Sequence, residues 1–187
     1  METSKAYEQY RVNKSERMRL RHPLVMGNEF MLALLRESPA EEWQQLAALA
    51  DTCQWVMTVD WLKHLTKDTT ALVITDSQQR ITWVNSNFTR MTKYPVTEVL
   101  GRRPSFLQGP ETDPHEKVRI RQRLTEQQTY TGTLLNYRKS GEPYLCRVRI
   151  LPLFNTHQEL VHFVAVENEV PMAKELTDTR ALTWGVQ

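Results

Sequence analysis

Gly101-Arg102-Arg103-Pro104-Ser105-Phe106-Leu107-Gln108-Gly109-Pro110-Glu111-Thr112-Asp113-Pro114 is the stretch on which the fold is read. Glycine and proline punctuate it too densely for one long helix. Pro104 sits early in a short helical piece, where proline is tolerated. With Pro95 upstream, Asn87–Gly109 reads as several short helical pieces. Downstream, Asp113–Gln127 reads as one longer helix, with Val118, Ile120 and Leu124 set among charges.

On either side of this helical middle the pattern is β. Before it, Ala71–Thr75 and Arg80–Asn85 are short β-rich runs, and Asp76-Ser77-Gln78-Gln79 turns one into the other. After it come three strands, Tyr130–Arg138, Tyr144–Phe154 and Leu160–Glu167, joined by turns at Lys139-Ser140-Gly141-Glu142 and Asn155-Thr156-His157-Gln158. Five antiparallel strands with the helices grouped between the second and third make an α+β domain. The short helices pack most simply on one face of the sheet, and the gap between is a natural small-ligand cavity. Alternation places Tyr144, Cys146, Val148 and Ile150 on one face, with Arg147 and Arg149 on the other. Phe163, Ala165 and Glu167 likewise share a face.

Ahead of the strands the chain reads helical. Lys5–His22 is polar and basic, either a solvated arm or a contact for an anionic surface. Asn28 can cap a short apolar helix over Phe30–Arg36. Ser38-Pro39-Ala40-Glu41 is a helix start, and Trp43, Leu46, Ala47, Ala50 and Cys53 follow at helical spacing. That apolar face must cover something. Met172–Leu182 reads as a terminal helix. The division is therefore a helical extension over 1–68, the α+β domain over 69–170 and a helix or tail over 171–187.

Composition narrows the function. The 187 residues hold six glycines, two cysteines and a net charge of +2. So few glycines argue against a glycine-rich phosphate cradle. Two cysteines exclude a disulfide framework or an all-cysteine zinc site. The charge is too mild to indicate nucleic acid. The longest apolar run, Phe30–Leu35, is far short of a membrane span. Met1–Tyr10 lacks a secretory h-region, so a cytoplasmic protein with reduced thiols is expected. His22, His64, His115, His157 and His162 show no metal-ligand spacing. There is no nucleophile elbow and no Walker motif. Glu41 and Glu42 are explained by their own helix's first turn. No enzyme is expected.

The order of elements, and specific residues in it, resemble the PAS sensor family, and most closely its light-oxygen-voltage (LOV) subclass of flavin-binding blue-light receptors. The resemblance covers about Thr69–Glu169. It runs through Val73-Ile74-Thr75-Asp76, Val84-Asn85-Ser86-Asn87-Phe88, Met91-Thr92-Lys93-Tyr94 and Val99-Leu100-Gly101-Arg102. Gly101–Pro114 agrees with the LOV signature G-R-N-C-R-F-L-Q-G-P-E-T-D-P at eleven of fourteen positions, and Asn136-Tyr137-Arg138-Lys139-Ser140-Gly141 resembles its N-Y-x-K-S-G turn. The resemblance implies a PAS fold with a ligand between helices and sheet. In LOV receptors that ligand is FMN, and a signature cysteine forms a photo-adduct with it.

Carried over residue by residue, the resemblance implies flavin contacts at Val73, Thr75, Leu107, Gln108, Arg121 and Asn136. Arg121 would meet the phosphate, as an arginine fork suits; the plain alternative is a solvated charge on a helix. Gln108 and Asn136 would bond the ribityl chain and ring edge, or else bond backbone. Five positions depart. Pro104 stands where the adduct cysteine belongs, so no adduct can form there. Arg103 replaces an asparagine, and Ser105 a second phosphate arginine, with Arg103, Arg119 and Arg123 nearby as substitutes. Cys146 replaces a ring-binding asparagine and is a poorer hydrogen-bond partner; otherwise it is a small core residue. Glu167 replaces the glutamine that relays the light signal. Ionised it can only accept, whereas burial would favour the neutral form, which can donate; the plain alternative is an exposed acid at a strand end.

The expected function is a LOV-like PAS sensory or regulatory module, signalling through ligand-dependent or partner-dependent interactions without cysteine-adduct photochemistry. A cysteine-less flavin-binding photoreceptor is the alternative. Leu145, Leu151, Val164 and Val166 point away from the cavity, and an uncovered apolar sheet face is not expected in a soluble monomer. The helical extension or the tail, with Leu176, Leu182 and Trp184, would cover that face within the chain, across a homodimer, or with a partner protein. No membrane, nucleic-acid or metal partner is expected.

Overall fold

A computed structural model describes residues 41–56 and 70–172. The element order is α1 (Glu41–Thr52), β1 (Ala71–Asp76), β2 (Ile81–Val84), α2 (Ser86–Thr92), α3 (Val96–Val99), a 3-10 turn (Pro104–Leu107), α4 (Pro114–Thr125), β3 (Tyr130–Tyr137), β4 (Pro143–Phe154) and β5 (Leu160–Val170). The expected helices at Lys5–His22, Phe30–Arg36 and Met172–Leu182 lie essentially outside the described residues.

The five strands form one antiparallel sheet in the order β2-β1-β5-β4-β3. The five-stranded α+β reading therefore holds. Its one notable shift is at β5, which runs on to Val170. Asn168 and Glu169 look like a strand end by polarity, yet they still pair across to Arg147 and Cys146 of β4.

Strand alternation splits the sheet into two cores. Inward, Ala71, Val73, Cys146, Val148 and Ala165 pack with Phe88 of α2, Val99 of α3 and Leu107 of the 3-10 turn. Outward, Leu72, Ile74, Trp83, Leu153, Val164 and Val166 pack with Leu46, Ala47 and Ala50 of α1. The short helices thus share one face as expected, and α1 covers the other within the same chain. Burying three apolar side chains of α1 supplies the tertiary support that a helix of its length needs in water.

α1 is also held at both ends. At its start, the Glu42 carboxylate accepts the Ser86 backbone N–H at 2.7 Å. Glu42 therefore serves the first turn of α2 as well as its own helix, where sequence alone places it. Past its end, the Trp55 indole N–H donates to His162 Nδ1 at 3.1 Å, and Val56 N–H donates to Phe154 O at 2.8 Å.

The Gly101–Pro114 stretch is fastened along β3. Gln108 bridges Asn136. The Thr112 hydroxyl accepts from Gly109 N and donates to Leu135 O. Gly109 is required here, because a Cβ would sit 2.1 Å from the Tyr137 ring. Asp113 caps α4 by accepting from His115 N, with Pro114 in the first turn. α4 is tied to the sheet by Tyr130, which donates to Glu116, and by Arg119, which donates to Glu116 and to Thr131 O.

Candidate functional site

The inner sheet face carries the polar groups that an apolar core does not need. Cross-strand register sets Asn136 of β3 opposite Tyr144 of β4, and Val148 of β4 opposite Glu167 of β5. Cys146, two residues from Val148 on the same face, is diagonal to Glu167. All four of Asn136, Tyr144, Cys146 and Glu167 are buried. Asn136 Oδ1, the Tyr144 hydroxyl and Glu167 Oε2 have no hydrogen-bond partner within the protein. Buried polar atoms are normally paired, and each unpaired one costs about 1–3 kcal/mol. Three on one face mark a surface that expects a polar visitor.

The ionisation of the cluster follows from its burial. Burial pushes the Glu167 carboxyl up from 4.5 to about 7, against a small opposing effect of the Cys146 thiol. Burial, with the Glu167 carboxyl beside it, pushes the Cys146 thiol well above its ordinary value. The Tyr144 hydroxyl is raised for the same two reasons. At neutral pH the thiol is therefore protonated and a poor nucleophile.

The other expected residues divide by position. Val73, Thr75 and Leu107 are buried: Val73 and Leu107 belong to the inner core, and Thr75 follows Val73 by alternation. Gln108 is half-buried beside Asn136 through its backbone bridge. Pro104 is half-buried at the start of the 3-10 turn, its missing N–H unneeded there. Arg121 is exposed on α4, apart from the buried set, and Arg103 and Ser105 are exposed too. Glu167 is not an exposed acid, because β5 continues three residues past it. Tyr144 was legible as an inward side chain but not as a polar site residue; the signal was its shared face with Cys146.

Neither cysteine stands in the 3-10 turn. Cys146 lies on β4, and Cys53 packs against the outer core behind α1. Among the described residues no group of His, Cys, Asp and Glu is disposed to hold a metal ion. No helix among them is long and apolar enough to cross a membrane.

A bound flavin can be tested against this set. The unpaired Asn136, Tyr144 and Glu167 atoms suit a ring edge of alternating carbonyl and N–H groups. Arg103 and Arg121 are surface cations and would meet a phosphate only at the solvent boundary. The residues fit the ring, and they offer the phosphate less.

Comparison with known proteins places the arrangement. The family model described as PAS domain matches residues 69–170. A blue-light photoreceptor of Listeria monocytogenes is 36% identical over 112 residues, 58% of this chain and 44% of that protein. Phototropin-1A of Oryza sativa is 40% identical over 90 residues, 48% of this chain and 10% of that protein. The chain thus spans less than half the length of these relatives. The dark structure of the blue-light photoreceptor Aureochrome1 LOV superposes with a TM-score of 0.59 at 30% identity, covering 67% of this chain and 94% of that one.

Proposed function

This chain belongs to the PAS domain family, on its light-oxygen-voltage branch, and from that premise we propose that it is a sensory or regulatory module working without a cysteine adduct. The observation that carries the reading is the two-sided use of the sheet. β3, β4 and β5 present the unsatisfied polar cluster on one face, and β1, β2, β4 and β5 seat α1 on the other. A ligand that satisfies the inner cluster acts on β4 and β5, which also hold α1. Alternating side chains such as Ala165 and Val166 link the faces over a single residue. The output is the docking of α1, read by a second copy of the chain or by a partner protein at the sheet. The proposal gives this chain no catalytic step.

Pro104 removes the adduct thiol, and the two cysteines present stand on β4 and behind α1. A second reading, a cysteine-less flavin photoreceptor, is favoured by the unpaired polar atoms. Val73, Thr75 and Leu107 would then line the ring, Gln108, Asn136, Cys146 and Glu167 would meet its polar edge, and Arg121 would face the phosphate. Bound FMN would supply blue-light absorption and electron acceptance.

The absorption spectrum of the full chain after incubation with FMN and removal of free ligand separates the two. A structured blue band establishes the flavin reading. A colourless protein rejects it and leaves a different ligand or partner as the input.

A further inference from the structure

We propose that Arg138 is a gate: its side chain bars the end of the inner site at the β3–β4 hairpin, and small molecules reach the buried cluster from a groove outside when the bar swings away. As a ligand gate it rests on reading the inner face as a ligand site.

Arg138 directly follows β3 and, by alternation, shares the inner face with Asn136. From there its side chain crosses β4. The Arg138 Cζ lies 4.7 Å from the centre of the Tyr144 ring. Beyond that ring Nη2 donates to the Glu169 carboxylate of β5 at 2.7 Å, and Nε donates to Glu142 in the hairpin turn at 3.2 Å. Nη1 donates to Met91 O, in the last turn of α2. One side chain therefore ties β3, β5 and the helical layer together over the strand between them. The register sets Asn136 opposite Tyr144 and Cys146 opposite Glu169, so the bar adjoins the cluster itself.

Outside the bar lies a groove of about 490 Å³ between the start of β4 and the end of β5, lined by Glu142, Tyr144, Glu169, Val170 and Met172 among others. That volume is in the range of small-molecule clefts. Glu142, Tyr144 and Glu169 thus line the groove and also hold the bar. Its fastenings are weak ones. The Glu142 and Glu169 side chains are 63% and 46% exposed, so both ion pairs are screened by water and contribute little. Met91 O ends a helix, where carbonyls have no partner within the helix. No backbone bond has to break. The turn is closed independently, by Arg138 N–H to Glu142 O and Gly141 N–H to Arg138 O. The side chain can therefore leave on a fixed hairpin, taking its charge into water and opening the Tyr144 ring to the groove.

The test uses the full chain and its Arg138→Ala and Arg138→Met variants, with iodoacetamide as probe. The readout is the alkylation rate of Cys146 at one mildly alkaline pH, followed by peptide mass spectrometry. Cys53, behind α1, is the control within the same molecule, and amide exchange along β3 and β4 reports opening of the whole domain. Expected is Cys146 alkylation about ten-fold or more above the wild-type rate for Arg138→Ala. A several-fold rise is expected for Arg138→Met, which keeps an unbranched stem over the Tyr144 ring. Cys53 labelling and strand exchange should keep their wild-type rates. Removing a cation makes a nearby thiolate scarcer, so faster alkylation reports access and not ionisation. Arg138→Ala decides the matter where it folds, and Arg138→Met where it does not. Cys146 labelling at the wild-type rate overturns the gate, and so does an acceleration shared with Cys53 and both strands. The ligand reading fails separately: fast Cys146 labelling in a chain that takes up no ligand upholds the bar and rejects the ligand site, whereas unchanged labelling in a chain that binds FMN does the reverse.

Discussion

The seat of α1 is the part of the structure most open to direct perturbation. Leu46 is 1% exposed and packs among Leu72, Ile74, Val164 and Val166. Truncation to alanine removes that packing at about 3 kcal/mol, within the range for buried leucines. Trp55→Phe keeps a ring in place but leaves His162 Nδ1 buried without its donor, at a cost of about 1–3 kcal/mol. If α1 opens as a local unit, these losses fall on its opening equilibrium rather than on the whole domain. Roughly a hundred-fold faster amide exchange is expected in α1 for Leu46→Ala, and about ten-fold or more for Trp55→Phe. The β3–β4 ladder should be little changed. The assay is hydrogen exchange by mass spectrometry on the full chain. Equal acceleration in β3 and β4 would refute the idea that α1 is separable. No acceleration in α1 would refute its docking.

Further outcomes follow from the same contacts. Burial lowers the His162 pKa below 6.5, opposed by Asp76. The unfolded chain then takes up the proton first, so its contribution is intact above about 6.5 and declines as pH falls toward the folded value; α1 exchange should quicken in that window and stay level above it. Glu167 has the opposite sign. Its pKa rises on folding from 4.5 to about 7, so stability is lost as pH increases between those values, by roughly 3 kcal/mol at completion. Glu167→Gln should therefore flatten the pH dependence of the melting temperature on the alkaline side of 5, and an unchanged profile would count against a buried neutral acid. Gly109→Ala should destabilise the domain by about 1–3 kcal/mol through the Tyr137 ring. Most of that cost should vanish in a Tyr137→Leu background, as a denaturation cycle on the four proteins would show.

Local patterns made the sheet legible, while the tertiary contacts stayed hidden. Alternation set Cys146 with Tyr144 and Val148 on one face of β4, and Glu167 with Phe163 and Ala165 on the face of β5 opposite Val164 and Val166, because a pleated strand allows only two directions. The helical spacing of Leu46, Ala47 and Ala50 announced a covered face. What they covered was narrowed to an outer sheet face but not assigned. Glu42 meets Ser86 across 44 residues, and Trp55 meets His162 across 107. No short-range signal encodes either pairing. In the site, the resemblance named Leu107, Gln108 and Asn136 as contacts of one ligand, and the backbone bridge between Gln108 and Asn136 brings those two together. Arg121 illustrates the limit: helix spacing gives it a face, but only the packing of α4 shows that the face is solvent. Glu167 looked like a strand end because polar residues follow it, and only the pairing of Asn168 and Glu169 with β4 carries β5 past it.

The central claim, signalling without a cysteine adduct, is tested most directly by a blue-light difference spectrum of the chain incubated with FMN, beside its Pro104→Cys variant. The account predicts no thermally reversible loss of flavin absorbance in the wild-type chain. If flavin binds, the variant should bleach and recover. Bleaching in the wild-type chain that recovers in the dark without oxygen would contradict the account, because photoreduced flavin needs an oxidant to recover, whereas a thermally reversible adduct would require Cys146 or Cys53 to reach the ring.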